Sequence, residues 1–297
     1  MAEYTVHDRK RDRALAGLDV TMLRGVEIGP LDRPLVTRAM SEVYYVDHVS
    51  NDELVSKYAG DPTVNSANIP HVDFVWKDRP LLDMLGDKAP LDYIVASHVI
   101  EHVPDLIGWL TEMLNALRVG GRLILVIPDK RFTFDIFRRT SAFEEVQQAY
   151  EERRRRPGLR CIVDHFANVV EADAWSLWDD YSISRQFKFC VGPDRLVRVT
   201  NRFQEGHYID VHCWVFTPWS FVDLLGQIVE ASGLAFDLSH LMTTQSHDLE
   251  FYVQLTRVEA SSTDWPSAAR DAYSNALWPA NGVDALQLDQ AKNPTLT

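Results

Sequence analysis

Residues 91–129 read LDYIVASHVIEHVPDLIGWLTEMLNALRVGGRLILVIPD, and this stretch decides the architecture. Two short apolar runs lie in it, Tyr93–Ala96 and Arg122–Ile127, as expected for strands covered on both faces. Between them Leu106, Leu110, Met113, Leu114 and Leu117 fall on one helical face. Pro104 suits the first turn of that helix, and Gly120-Gly121 suit its end. Strand, helix, strand in this order implies two parallel strands joined by a right-handed crossover.

The same rhythm extends in both directions. Upstream, Gly25–Ile28, Val43–Val46 and Ile69–Val72 are candidate strands alternating with helical patterns. Downstream, Thr217 as N-cap and Pro218 in the first turn open a helix with Phe221, Leu224, Leu225, Ile228 and Val229 on one face. Gly233 closes it. Phe236–Met242 and Glu250–Val258 then read as two strands joined by the polar turn TTQSHD, a connection short enough to require antiparallel pairing.

From Asp129 to Phe216 the alternation stops, and the pattern predicts one clear helix, opened by Ser141-x-x-Glu144 and closed before Pro157. Sixteen of the chain's 31 Phe, Tyr and Trp residues lie between positions 129 and 219, so this segment carries the core of an inserted subdomain or the apolar wall of a substrate site. The organisation expected is one domain over residues 1–258, with 130–216 as an aromatic-rich substrate cap and 259–297 as a weakly helical or mobile tail.

Composition narrows the function. The chain of 297 residues is 46% apolar and 25% charged, in the range of ordinary globular proteins. Thirty basic residues against 43 acidic give a net charge of −13, which disfavours nucleic acid and anionic membrane surfaces as partners. The longest apolar run, Leu123–Pro128, is far short of the roughly 20 residues of a membrane helix. The charged N-terminus does not read as a signal peptide, and Cys161, Cys190 and Cys213 are too few for a disulfide framework, so a cytoplasmic location is expected.

In an open parallel sheet, ligands bind outside the carboxyl ends of the strands, where the strand order reverses. Those ends hold Glu27-Ile28-Gly29-Pro30, Asp47, Asp73, Ser97-His98 and Asp129. A carboxylate closing the second strand can accept both hydroxyls of a ribose, and Asp47 stands about 20 residues after VEIGP, the spacing of a nucleoside-binding half-sheet. The first turn lacks the G-x-G-x-x-G that a pyrophosphate needs, which counts against a nicotinamide dinucleotide.

VEIGP, then YYVDH, then the stretch from LDYIVASHVIEHVP to GGRLILVIPD resemble the class I S-adenosylmethionine-dependent methyltransferases. The similarity is closest to a branch with E-H-V-P after the fourth strand and G-G-R-L in the fifth. The helix in FTPWSFVDLLGQIVEASGL and the final antiparallel hairpin also match. The resemblance covers about two-thirds of the chain, and it departs at the first motif, where Glu27-x-Gly29-Pro30-Leu31 replaces the family's E/D-x-G-x-G.

This resemblance implies a doubly wound, Rossmann-like α/β fold with a seven-stranded, mostly parallel sheet and an inserted cap, and S-adenosylmethionine as cofactor. It also implies roles for particular residues. Asp47 would bind the ribose hydroxyls, while Glu27 and the Gly29 backbone would line the amino-acid end of the cofactor. Asp73, in competition with Asp78, would reach the adenine, and Trp76 could stack near it. Ser97 and His98 would flank the sulfonium.

The expected activity is O-methylation of a small molecule, sugar or glycan. The alternatives are a methyltransferase-like scaffold without catalysis and, less favoured, a nicotinamide-dependent enzyme. An imidazole suits removal of a hydroxyl proton near neutral pH. Asp164-His165 and Asp210-x-His212 lie in the aromatic segment, so His165 is the first choice of base and His212 the second. Glu101-His102 fit the start of a helix, where a carboxylate can satisfy free backbone N–H groups; contact with substrate or metal is the other reading. None of these clusters has the spacing of a standard metal site, so no metal ligands are expected.

Overall fold

The computed structural model describes residues 4–77 and 79–279. In chain order its elements are α1 (Val6–Ala14), β1 (Arg24–Ile28), β2 (Glu42–Asp47), α2 (Asn51–Tyr58), β3 (Phe74–Val75), α3 (Leu81–Leu85), β4 (Leu91–Ser97), α4 (Leu106–Ala116) and β5 (Leu117–Pro128). There follow α5 (Phe143–Glu151), α6 (Leu159–Asn168), α7 (Ala174–Asp179), α8 (Pro193–Gln204), α9 (Pro218–Ser232), β6 (Phe236–Met242), β7 (Glu250–Arg257) and α10 (Trp265–Ser274).

The strands form one seven-stranded sheet in the order β3-β2-β1-β4-β5-β7-β6. β1 pairs in parallel with both β2 and β4, and β7 runs antiparallel between β5 and β6. This is the doubly wound, Rossmann-like sheet that the sequence implies. The period of two along each strand divides the core. Tyr44, Val46, Ile94 and Ala96 pack with α3, α4 and α9 on one face, while Val43, Tyr45, Tyr93 and Val95 pack with Ala14, Leu15, Leu35 and Val36 on the other.

Four sequence expectations need correction. No helix connects β1 to β2: residues 29–41 form an irregular loop. Pro30 and Pro34 lack backbone N–H donors, and the Glu27 carboxylate captures the N–H groups of Leu35 and Val36, 2.8 and 2.9 Å away, which a helix would otherwise use. The third strand is Phe74–Val75 rather than Ile69–Val72, and Asp73 opens it instead of closing it. α4 runs directly into β5 at Leu117, so Gly120-Gly121 lie inside the strand. Finally, the segment between β5 and α9 contains α5, α6, α7 and α8, not a single helix.

The N-cap of α9 is Thr217 and its C-cap is Gly233 at φ 70°, both as read from the sequence. Beyond β7, α10 is packed, with Trp265 buried in the main core against Gly226 of α9. Asp78 and the tail from 280 onward lie outside the described residues. No helix among the described residues is long and apolar enough to cross a membrane.

Candidate functional site

The strand order reverses at β1, so a crevice opens between the carboxyl ends of β1 and β4. Three residues there have left-handed backbone: Gly29 at φ 64°, Leu31 at 47° and His98 at 54°. Such conformations persist at non-glycine positions only where the surroundings hold them. At His98 the backbone N–H donates to Val126 O at 2.9 Å, and Nε2 donates to Glu250 Oε2 at 2.6 Å. Glu250 also binds Lys10 Nζ at 2.8 Å. Burial would raise the Glu250 carboxyl, but His98 and Lys10 hold it down at about 2. Gly29 lies so close to the turn after β4 that a Cβ there would come within 3.3 Å of Val99 Cγ2.

Asp47 ends β2 beside this crevice and is buried. Its Oδ1 accepts from the His48 backbone N–H at 2.7 Å and faces His48 Nδ1 at 2.6 Å. Oδ2 has no partner among the described residues, which leaves an acceptor for a ligand hydroxyl. Ser97 closes β4.

Two of the residues expected to touch a cofactor are otherwise occupied. Both oxygens of Glu27 are taken by Leu35 and Val36, so the side chain shapes the loop after β1. Complete burial pushes its carboxyl up to about 7 despite those two hydrogen bonds. The Asp73 carboxylate accepts from Arg38 Nη2 and the Tyr45 backbone N–H, both at 2.7 Å. It sits before β3, so it does not occupy the strand end that the adenine role requires. Trp76 follows β3, and its indole N–H is committed to Arg79 O at 3.0 Å.

The segment between β5 and α9 returns to the turn after β4. Cys213 and Trp214 donate their backbone N–H groups to Glu101 O at 2.6 and 3.1 Å, and the Trp214 indole donates to Val103 O at 2.7 Å. These bonds bring His212 against His102, with ring centroids 4.7 Å apart at 86°. Behind each ring stands a carboxylate: Asp210 Oδ1 lies 2.9 Å from His102 Nδ1, and Asp135 Oδ2 lies 2.5 Å from His212 Nδ1. Burial depresses the His102 imidazole, yet the bond to Asp210 and the charges of Glu101, Asp210 and Asp135 outweigh it and hold its pKa above the usual value. Asp135 is pushed up by burial and pulled down further by His212 and Arg138, to about 2.

Arg138 organises the far side of this cluster. Its guanidinium binds Asp135 at 2.9 Å, Asp164 at 2.7 Å and the His212 carbonyl at 3.0 Å. Arg138 Nη1 also lies 3.5 Å from His165 Nδ1. Burial and this cation lower the His165 pKa to about 4. With Nδ1 facing a donor, neutral His165 carries its proton on Nε2 and is a poor acceptor there. In His212 the arrangement is reversed: Nδ1 faces a carboxylate, Asp135, rather than a donor. Of the two rings, His212 is the one oriented by a carboxylate and His165 the one facing a guanidinium.

A cavity of about 450 Å³ opens beside the cluster, lined by Arg138, Arg139, Glu145, Arg160, Cys161 and Asp164 among others.

Glu101 does not cap a helix. The N-cap of α4 is Asp105, bonded to Gly108 N–H at 2.8 Å. Glu101 is 0% exposed, and neither carboxylate oxygen has a hydrogen-bond partner. Sequence spacing could not reveal that Glu101-His102 and His212 meet, because they come from segments that only the fold brings together. The one available signal was the juxtaposition of acid and imidazole in each segment.

A family profile described as "Methyltransferase domain" matches residues 12–234. No curated protein matches the chain. Among solved structures, a protein from Rhodobacter sphaeroides described as "Putative Zn-dependent Alcohol Dehydrogenases" aligns at 15% identity over 84% of this chain and 90% of its own, with a TM-score of 0.45. A protein from Streptococcus thermophilus described as "Putative hemolysin" aligns at 13% identity over 97% and 74%, with a TM-score of 0.43. Magnesium protoporphyrin IX methyltransferase from Synechocystis PCC 6803, solved with bound SAH, aligns at 13% identity over 84% and 83%, with a TM-score of 0.39. The family match spans most of the sheet, the reversal crevice and Asp47, and by it the chain belongs to the methyltransferase-domain family, as an S-adenosylmethionine-dependent methyltransferase.

Proposed function

We propose that this enzyme O-methylates a hydroxyl of a small molecule, sugar or glycan. The observation that carries this reading is the His212–Asp135 pair, an imidazole whose Nδ1 stands 2.5 Å from a carboxylate oxygen, which orients the ring and leaves Nε2 for an acceptor. That is the arrangement a general base needs to take a hydroxyl proton. When bound, S-adenosylmethionine supplies an electrophilic methyl group. Asp47 Oδ2 binds its ribose hydroxyls, the Gly29 backbone allows close approach of its amino-acid end, and Ser97 and His98 border the methyl-bearing sulfur. Glu27 serves indirectly, by fixing the loop after β1.

Residues 130–216 act as the cap. They exclude water and present the acceptor to the imidazoles. The charged walls of the adjoining cavity, with guanidinium and carboxylate groups together, suit a hydroxyl-rich acceptor. Because methyl transfer is an in-line displacement, orientation of the hydroxyl supplies much of the rate and proton removal the remainder.

The test is to incubate the protein with methyl-labelled S-adenosylmethionine and a panel of phenols, sugars and glycans, then locate the label by mass spectrometry and NMR. A methyl ether is the expected product. Cofactor binding without transfer to any acceptor hydroxyl, or a label found on nitrogen or carbon, would overturn the proposal.

A further inference from the structure

Two imidazoles and a carboxylate converge at the junction of the β4 turn and the returning segment. One ligand-capable atom from each of Glu101, His102 and His212 lies within 4.8 Å of the others. Three donors held about 2.1 Å from one ion sit roughly 3.4 Å apart in a tetrahedral site, so small side-chain rotations close the set. Independent of that proximity, Glu101 is fully buried with both oxygens unpartnered, and leaving such a group unsatisfied is costly. His98 Nδ1 stands 3.6 Å from Glu101 Oε1, beyond hydrogen-bond reach, and its Nε2 is committed to Glu250.

The surroundings of the two rings point the same way. Metal-ligating histidines usually donate their second N–H to a carboxylate, which fixes the ring and strengthens the free nitrogen as a donor. Both rings here have that support, His102 from Asp210 and His212 from Asp135. Of the charged groups around the cluster, Glu101, Asp135, Asp164 and Asp210 are acidic; Arg138 pairs with Asp135 and Asp164, and Lys57 acts on Asp210 through its charge. The balance favours a bound cation.

We infer that Glu101, His102 and His212 form a site for one divalent transition-metal ion. Two nitrogens and one carboxylate oxygen select Zn²⁺ or Mn²⁺ over Mg²⁺, which prefers an all-oxygen shell. The coordination leaves open positions for water or substrate. The inference builds on the proposed hydroxyl acceptor. In the loaded enzyme the acceptor oxygen binds the ion, which lowers its pKa, and its proton leaves to water. The alkoxide then forms the new C–O bond as the C–S bond of the sulfonium breaks. His212 Nε2 is then a ligand, and it acts as a base only in the metal-free protein.

The test uses the full chain stripped with a chelator and titrated calorimetrically with Zn²⁺, Mn²⁺ and Mg²⁺ in separate runs, without cofactor or acceptor. One Zn²⁺ or Mn²⁺ per chain is expected, with Mg²⁺ at least tenfold weaker. Glu101→Gln, His102→Ala and His212→Ala should each weaken binding at least tenfold. Asp210→Asn, at an exposed position that the fold tolerates, should weaken it about 10- to 100-fold by releasing the His102 ring. Absence of stoichiometric binding, or wild-type affinity in the folded Asp210 and Glu101 variants, would overturn the inference. That result would leave the methyl-transfer reading intact, whereas ion binding without methylation of any hydroxyl would leave the site standing and remove the reaction.

Discussion

Replacing Glu27 with glutamine should remove a large part of the pH dependence of stability between pH 5 and 8. Glu27 is completely buried beneath the crevice, and burial raises its carboxyl from the ordinary value of 4.5 to about 7. A carboxyl raised in the folded state binds its proton more tightly there than in the unfolded chain. Its stabilising contribution is therefore complete below the unfolded pKa and is lost as pH rises through 7. A difference of about 2.5 units corresponds to about 3.4 kcal/mol over the whole range, of which about 2.5 kcal/mol falls between pH 5 and pH 8.

Urea unfolding of wild type and Glu27→Gln at pH 5, 6, 7 and 8 measures this directly. The other titrating groups are shared and cancel in the difference. The variant should lose about 2.5 kcal/mol less than wild type across the interval. It should also be weaker at pH 5 by roughly 1–3 kcal/mol, because its amide NH₂ faces one of the two backbone donors, Leu35 or Val36. Parallel stability curves for the two proteins would refute the assignment of a raised Glu27 pKa.

Other outcomes follow from the same geometry. Asp47→Ala should weaken binding of S-adenosylmethionine or its demethylated product by about 1.5–3 kcal/mol, roughly 10- to 150-fold; calorimetric affinity equal to wild type in a folded variant would remove Asp47 from the site. In metal-free protein His212→Ala should lower kcat at least about tenfold, with cofactor affinity within about threefold, while His165→Ala should have the smaller effect. A larger loss at His165 in steady-state assays would reverse that order. Gly226→Ala would set a Cβ 2.5 Å from Trp265 Cβ, so a loss of about 1–3 kcal/mol in unfolding free energy is expected, and an unchanged Tm would show that α10 does not dock as described.

The sheet was legible because its strands announce themselves by composition. Tyr93–Ala96 and Arg122–Ile127 are apolar runs that only a two-sided core accommodates, and the helix between them has its apolar residues on one face. The start and end of α9 were readable for a local reason, since Thr217, Pro218 and Gly233 act on their own backbone neighbours. Asp47 was legible too, because its place depends only on where β2 ends. The loop after β1 was misread because its conformation depends on a buried carboxylate reaching eight and nine residues along the chain, from Glu27 to Leu35 and Val36. β3 was misplaced because two residues carry no periodicity.

The sequence by itself thus determined the β4–α4–β5 unit, α9, the closing hairpin and the carboxylate at the end of β2, all set by short-range pattern. Only the tertiary structure decided the chemistry of the cluster. The Nδ1 of His212 faces Asp135 and the Nδ1 of His165 faces Arg138; both partners lie far from these histidines in sequence. Glu101 reads in sequence as a helix-start acid. Its burial without a partner beside His102 and His212 appears only when two distant segments close on each other, because desolvation and ligand geometry are properties of the assembled neighbourhood.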